Sequence, residues 1–452
     1  MITLPLELAR EIAAGLRCFK LNKSSLPVLR CLRVAIGAGR FVIHATTLDE
    51  WLVHSSPTPC ADSADFLIPA EHFLEAAKSA DPKSEITFSP AKSGWEIGHH
   101  VAGQLMVHPV SGIAVSEFPE IPVFPASGQP LPAGFTRTLE EAMAAASTED
   151  SRQILKSVFL TRSDVIATDG RQLFVSNSLA LQLPSGGIIV PSSGAIRVFD
   201  AAAPAELLLE ASDAPSRVAL RQRAWTWASK VIEGNYPNWK QVVPRVETLS
   251  TQLVLSPGDA ARLQRVMPRL PGASDKDSPV VLTIAPTGIE LRASNIGVAL
   301  MDSVSTGPAV TTSFNRRFLL QALSQGFRTL HVRDNATPVV MREGPRTYLW
   351  MPVRMPAEAG VPTASSKSEP VKAPDRPAPT EPVRPMQPEP PREDDPGALE
   401  SLQRAREILR ELQAALTGAS NAVRVLERER REVERDLDAL KRNLRALKSV
   451  EV

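Results

Sequence analysis

IATDGRQLFV (Ile166 to Val175), EGNYPNWKQVVP (Glu233 to Pro244) and YLWMPVRM (Tyr348 to Met355) decide how this chain is read. The first is an apolar run broken by Asp169-Gly170. Such a pair marks a tight hairpin, because Gly accepts the positive φ that a type I′ turn requires. Alone it is an ordinary turn, but it belongs to a faint repeat. Strand-like segments ending in Ala-Thr or Ala-Ser occur as FVIHATTLDEWLV (Phe41 to Val53), DVIATDGRQLFV (Asp164 to Val175) and IELRASNIGVAL (Ile289 to Leu300). Ala45, Ala167 and Ala293 are separated by 122 and 126 residues. Helix candidates precede them at Glu7 to Leu16, Leu139 to Ala145 and Pro257 to Val266, and second candidates follow at Pro69 to Ser79, Ser192 to Asp200 and Asn315 to Gln325. The remainder alternates apolar and polar residues, as in ITFSP, ELLLEA and VVLTIA, the pattern of half-buried antiparallel strands. The expectation is α+β, with three similar domains at 1–125, 126–246 and 247–355 and boundaries near Pro125 and Val246.

Composition narrows the function classes. The chain has 452 residues, 43% of them hydrophobic, enough for several cores. A formal net charge of +1 means that any nucleic-acid site must come from local placement of Lys and Arg. Cys18, Cys31 and Cys60 are odd in number and contain no CxxC pair, which argues against a disulfide framework or a zinc site and fits a reducing cytosol. The N-terminus shows no signal-peptide pattern and no apolar run reaches membrane-spanning length, so a soluble cytoplasmic protein is expected. No GxxxxGK, GxGxxG, HExxH or GxSxG motif is present. His99-His100 has no further metal ligand near it in sequence and reads as an exposed loop or strand edge. No enzyme, metal or cofactor is expected.

Composition changes at Pro356. Residues 356–397 are rich in Pro, Ala, Ser and charge, as in VKAPDRPAPTEPVRPMQPEPPRED. So much proline favours an extended, disordered tether with a reach of roughly 100 Å at about 3.1 Å per residue. From 398 to 452, Leu402, Ala405, Leu409, Leu412, Leu416, Ala419, Val423 and Leu426 recur in alternating steps of four and three. The phase resumes at Val433, Leu437, Leu440, Leu444 and Leu447, with Arg430 the one interruption. That is a coiled-coil seam calling for a helical partner. Thr417 to Asn421 could turn it into a helical hairpin, but the phase survives there and favours one helix.

Taken together, the three opening segments resemble the β sliding clamps of bacterial DNA polymerase III over residues 1–355. LEEAMAAASTEDSRQILKSVFL (Leu139 to Leu160) is also similar to the helix, acidic turn and strand of that family. The resemblance implies a non-catalytic ring that encircles duplex DNA and tethers polymerase, with helices lining the hole and antiparallel sheets outside. It further implies a hydrophobic cleft where polymerase and clamp-loader peptides dock. Carried over by motif, the cleft comprises Leu155, Thr168, Gly170, Arg171, Leu173, Pro237, Val242, Met351, Pro352, Val353 and Arg354, edged by Asn315, Phe318 and Pro338. Burying one Leu or Phe anchor contributes roughly 1.5–3 kcal/mol, so two anchors suit reversible micromolar exchange. Gln172 and Gln241 stand where the family usually carries basic residues, which points to peptides less acidic than usual. QLVLS (Gln252 to Ser256) looks like a docking peptide but falls where a strand is needed, and reads as structural.

The resemblance also implies sequence-independent contact with phosphates. LNKSSLPVL (Leu21 to Leu29) is similar to the family's DNA-contacting loop and puts Lys23 there. Arg152, Arg197, Arg262, Arg265, Arg316 and Arg317 lie on or beside the inner-helix candidates, where solvated arginines are also common. Stacking platforms are not evident, as expected for duplex rather than single strands. Ring closure by a head-to-tail homodimer would join the third domain to the partner's first, and Pro268 falls near that edge helix. Two alternatives remain: a divergent accessory clamp, and a coiled-coil scaffold using the clamp-like body as a partner-binding module.

Overall fold

The computed structural model describes residues 1–353 apart from 20, 22–25, 59–62, 93, 178, 212–214 and 276. All of them belong to one compact unit, Met1–Val361. The proline-rich tether and the coiled coil lie outside the described residues.

Alternating strands build four antiparallel sheets. An eight-stranded sheet begins with Ala64–Pro69, Cys31–Gly37, Arg40–Thr46 and Glu50–Pro57, and continues with Trp225–Lys230, Arg217–Gln222, Ala205–Leu209 and Gln129–Leu131. A nine-stranded sheet begins with Ile188–Pro191, Ser157–Leu160, Val165–Thr168 and Gln172–Ser176. It continues with Arg346–Trp350, Val339–Glu343, Thr329–Val332, Thr251–Val254 and Val304–Thr306. Two seams therefore cross the junctions, with Leu52 opposite Trp227 and Phe174 opposite Tyr348. The boundaries expected near Pro125 and Val246 fall in connectors, while the sheets run on past them. A four-stranded sheet occupies each end of the unit. One ends on Gln104–Ser111 and the other on Ile296–Leu300.

The three repeated segments are all hairpins: Arg40–Thr46 with Glu50–Pro57, Val165–Thr168 with Gln172–Ser176, and Gly288–Ala293 with Ile296–Leu300. In the first two, the outer strand forms a seam. In the third it is a sheet edge. QLVLS supplies the strand Thr251–Val254, with Leu253 and Leu255 buried, so its structural reading holds.

Five α-helices are present among the described residues: α1 Leu6–Cys18, α2 Ala70–Ser79, α3 Phe135–Ala145, α4 Pro257–Val266 and α5 Arg316–Ser324. Each buries one apolar stripe, as Leu6, Ala9, Ile12, Ala13 and Leu16 do on α1. Ser256 caps α4, its hydroxyl accepting from the Asp259 amide at 3.0 Å, and Pro257 follows at the first helical position. Asn315 caps α5, accepting from the Arg317 amide at 2.9 Å. The sixth candidate, Ser192 to Asp200, needs correction: only a 3-10 turn, Gly194–Val198, forms there. Gly194 and the β-branched Ile196 and Val198 are poor helix formers. A Cβ on Gly194 would also sit 2.7 Å from the Cys18 carbonyl oxygen, so the chain is held against α1.

His99 is not in a loop. It is buried on the strand Gly94–Val101, 2.9 Å from the Ser79 hydroxyl. It stacks on His108 at 5.3 Å, which in turn stacks on His72 at 5.2 Å. No group of His, Cys, Asp or Glu among the described residues is arranged to hold a metal ion. No helix among them is long and apolar enough to cross a membrane.

Gly15 is the tightest point of α1, where a Cβ would lie 2.4 Å from Cη2 of Trp225 on the first seam. Gly15→Ala gains about 1 kcal/mol of helix propensity but overpacks the ring, at about 1–3 kcal/mol. So close a contact makes overpacking dominate. Urea titration should show Gly15→Ala less stable than the parent, whereas an equal or higher midpoint would mean that the seam yields freely.

Candidate partner cleft and nucleic-acid interface

The cleft is built on the second seam. Ile166, Leu173, Val175, Leu249, Val340 and Leu349 form a small buried cluster, and Phe159, Tyr236, Trp239 and Val243 pack against it. The connector Glu233 to Pro244 thus lies across the outer face of the nine-stranded sheet. Phe159 and Tyr236 stack at 5.1 Å. The Thr168 amide donates to the Tyr236 hydroxyl at 3.1 Å, which ties the connector to the turn. Burial pushes the Tyr236 hydroxyl well above its usual pKa, keeping it neutral.

The Asp169-Gly170 hairpin is fixed from within. The Gly170 amide donates to the Thr168 hydroxyl at 3.0 Å, and Asp169 Oδ1 accepts from the Arg171 and Gln172 amides at 2.7 and 2.9 Å. Gly170 has φ +90°, but Asp169 does not have positive φ and Thr168 pairs with Leu173 across four residues, so the hairpin forms without the type I′ turn expected for Asp169-Gly170. Chain exit from the far strand completes the frame. The Met351 amide donates to the Arg171 carbonyl at 2.9 Å, and the Val353 amide to the Ser313 carbonyl at 2.8 Å.

These bonds bring Thr168, Gly170 and Arg171 beside Met351, Pro352 and Val353. Met351 and Val242 are about half exposed, at 43% and 49%, and are the apolar side chains free to meet a ligand. Leu173 is buried in the floor. Pro237 is exposed on the connector, while Leu155 and Pro338 are half-buried. Phe318 packs 6.4 Å from Trp350, beneath the surface. The Asn315 side chain is buried and used as a helix cap. Arg354 lies outside the described residues. Arg171 reaches Asp277 at 2.8 Å across the rim.

Gln172 does not stand on that rim. It is buried, donating to Asp169 at 3.0 Å and accepting from the Tyr348 hydroxyl. The charge preference expected of it therefore has no direct contact to act through; Gln241 alone is exposed.

The expected DNA-facing residues divide. Arg316 is corrected outright: it is buried, and its guanidinium donates to the carbonyls of Ser278, Met267, Leu270, Pro271 and Pro279. All five N–H donors are used, leaving none for phosphate. Arg152 follows α3 in an irregular stretch that carries it beside the cleft turn, about 4.0 Å from the Cβ position of Gly170. Arg197 is exposed and pairs with Glu140 of α3 at 3.1 Å. Arg262 pairs with the buried Asp259, while Arg265 and Arg317 are exposed on α4 and α5. Lys23 lies outside the described residues. Exposed arginines that the sequence reading did not single out stand on α1, Arg10 and Arg17, and on α3, Arg137, with Arg10 donating to the Ala77 and Ala80 carbonyls at 3.2 Å. Their place opposite the buried stripe was the signal available.

No family model matches the chain. It is 25% identical over 327 residues to the β sliding clamp of Haemophilus influenzae, covering 67% of this chain and 84% of that protein. It is 24% identical over 369 residues to the β sliding clamp of Synechococcus elongatus, covering 74% and 94%. Among solved structures, the C. crescentus β sliding clamp superposes with a TM-score of 0.66 at 18% identity, over 78% of this chain and 98% of that one. The fold is that of a β sliding clamp. The clamp of Bartonella birtlesii bound to griselimycin gives the same TM-score, 0.66, at 20% identity over 78% and 99%. These relatives and neighbours support a DNA sliding-clamp function for the chain.

Two cleft bonds differ in weight. The Arg171–Asp277 pair is exposed, and such pairs contribute about 0–1 kcal/mol. Tyr348→Phe instead leaves buried Gln172 Oε1 without its donor, at about 1–3 kcal/mol. Chemical denaturation should show Arg171→Ala nearly neutral and Tyr348→Phe clearly destabilising. The reverse order would mean that rim charges hold the cleft.

Proposed function

We propose that this protein is a non-catalytic processivity clamp. In this reading three domains, 1–125, 126–246 and 247–355, form half of a six-domain ring around duplex DNA, and a second copy closes it. The observation that carries the reading is the half-exposed apolar pair Met351 and Val242 on a turn, connector and strand end tied by backbone bonds, in a clamp fold. A polymerase or clamp-loader peptide inserts an apolar side chain there, and Arg171 and Arg152 meet its polar groups.

Closure would join the edge strands of the two end sheets. Gln104–Ser111 carries exposed Leu105, Met106 and Val107, and Ile296–Leu300 carries exposed Ile296. Apolar edge strands with unpaired backbone groups are templates for a partner strand. Pro268 sits in the 3-10 turn Met267–Arg269 that ends α4, so it does not distort the helix. Arg10, Arg17, Arg137, Arg197, Arg265 and Arg317, with Lys23, supply loose attraction to phosphates. Contacts of this kind position without reading sequence and weaken with salt. Because closure holds the ring, weak contacts suffice and sliding stays easy.

Retention after loading by a clamp loader tests this. The protein should stay on a nicked circle and run off the same DNA once linearised, and Leu105→Arg should weaken retention on the circle. Equal retention on both forms would mean ordinary binding, and association with neither would favour the scaffold reading.

The C-terminal heptads extend the proposal. We propose that residues 398–452 pair as a coiled coil, either with the second copy or with a third protein. Sedimentation and circular dichroism of the isolated segment at micromolar concentration should show a helical dimer. A helical monomer would favour a third protein as partner, and an unfolded monomer would remove the self-pairing idea.

A further inference from the structure

The first seam repeats the hydroxyl cap, the turn closure and the chain exit of the second, without the bonds that Asp169 makes to the Arg171 amide and the Gln172 side chain or the Tyr236 tie. Thr46 Oγ1 accepts from the Leu48 amide at 3.0 Å, as Thr168 Oγ1 does from Gly170. The Glu50 amide donates to Thr47 Oγ1 at 3.2 Å, as that of Gln172 does to Asp169. The Lys230 amide donates to the Asp49 carbonyl at 2.9 Å and the Ile232 amide to the Ile189 carbonyl at 2.8 Å, matching Met351 with Arg171 and Val353 with Ser313. The side-chain bond to the aromatic donor recurs as well, half-buried here and buried at the second seam. Trp227 Nε1 donates to Glu50 Oε2 at 2.9 Å, where the Tyr348 hydroxyl donates to Gln172.

The frame that makes the cleft is thus present twice, and at the first seam it encloses a cavity of about 590 Å3. Val231, Ile232 and Pro191 give this cavity an apolar wall. Its charge is inverted relative to the cleft. Asp49 and Glu50 stand at the positions of Arg171 and Gln172, and Glu233 also lines the cavity. Of the two lysines of the lining, Lys230 pairs with Asp49 at 3.0 Å and Lys156 with Asp150, while Lys156 also acts through space on Glu50, which accepts from the Ser193 hydroxyl as well. No salt bridge among the described residues reaches Glu50 or Glu233.

Gln172 shows that a neutral amide satisfies the aromatic donor at this position. A carboxylate is not needed for that bond, and holding one half-buried with no cation at salt-bridge distance is unfavourable. We propose that this cavity is a second docking pocket, for an extended peptide whose arginine anchor pairs with Glu50 while apolar neighbours lie on Val231 and Ile232. Arginine fits better than lysine because its planar fork can bond a carboxylate at two points. The inference needs only the geometry of the first seam and does not depend on loading onto DNA.

The test uses the full chain without DNA and two fluorescein-labelled peptides, Gly-Pro-Leu-Arg-Leu-Pro-Gly and its analogue with neutral citrulline for arginine. Fluorescence polarisation should show the arginine peptide binding about tenfold tighter or more, the size of one charge-assisted hydrogen bond. Glu50→Gln, which keeps an acceptor for Trp227, should erase that ratio, and the exposed substitution Asp49→Lys should reduce it. Met351→Glu, in the other cleft, should leave it unchanged. Equal binding of the two peptides, a ratio that survives Glu50→Gln, or loss of binding in Met351→Glu would each overturn the proposal. Because no DNA is present, none of these results bears on the ring.

Discussion

Strand pairing across the two junctions is the constraint on which the rest of the structure depends. Glu50–Pro57 pairs with Trp225–Lys230, and Gln172–Ser176 with Arg346–Trp350. In each case a hairpin from one segment finds its outer partner in the next. Unpaired backbone groups at either edge would otherwise face solvent or another chain. The pairing also decides where ligands can bind. It sets each hairpin turn against the chain leaving the far strand, so both pockets stand at the end of a seam.

Helices are secured to this frame by buried polar bonds that could have been apolar. Arg316 opens α5 and gathers carbonyls from the turn after α4, including those of Met267 and Leu270. Arg346 of the second seam bonds both carboxylate oxygens of Glu141 on α3, at 2.8 and 2.9 Å, and the Gln325 carbonyl at 3.0 Å. Burial raises the Glu141 pKa, and the Arg346 bond opposes that rise. Breaking either cluster by removing one partner would strand a buried charge, so these groups fix the angle at which helix meets sheet even where they add little net stability.

Periodicity and turn chemistry made much of this legible. The helices near Glu7 to Leu16, Pro257 to Val266 and Asn315 to Gln325 and the hairpin at Asp169-Gly170 all declare themselves locally. The seams do not, since nothing in EWLVHSSP marks Trp225–Lys230 as its neighbour. Arg316 was misjudged for a related reason. A guanidinium at the start of an amphipathic helix looks solvated until the carbonyls from a distant turn are brought to it. Gln172 was misjudged because a turn residue is assumed to face outward, whereas strand alternation turns this one inward onto Tyr348.

The two seams also show how one backbone device can carry opposite chemistry. Their hydrogen bonds agree at the hydroxyl cap, the turn closure and the chain exit, so the same backbone frame carries Arg171 and Gln172 at one seam and Asp49 and Glu50 at the other. What differs is the energetics of leaving each pocket empty. An apolar trough around Met351 leaves hydrocarbon in water, at roughly 25 cal/mol per Å2. The pocket around Glu50 leaves a desolvated carboxylate whose pKa is raised chiefly by burial. The first is relieved by any apolar side chain of suitable shape. The second is relieved by a cationic side chain.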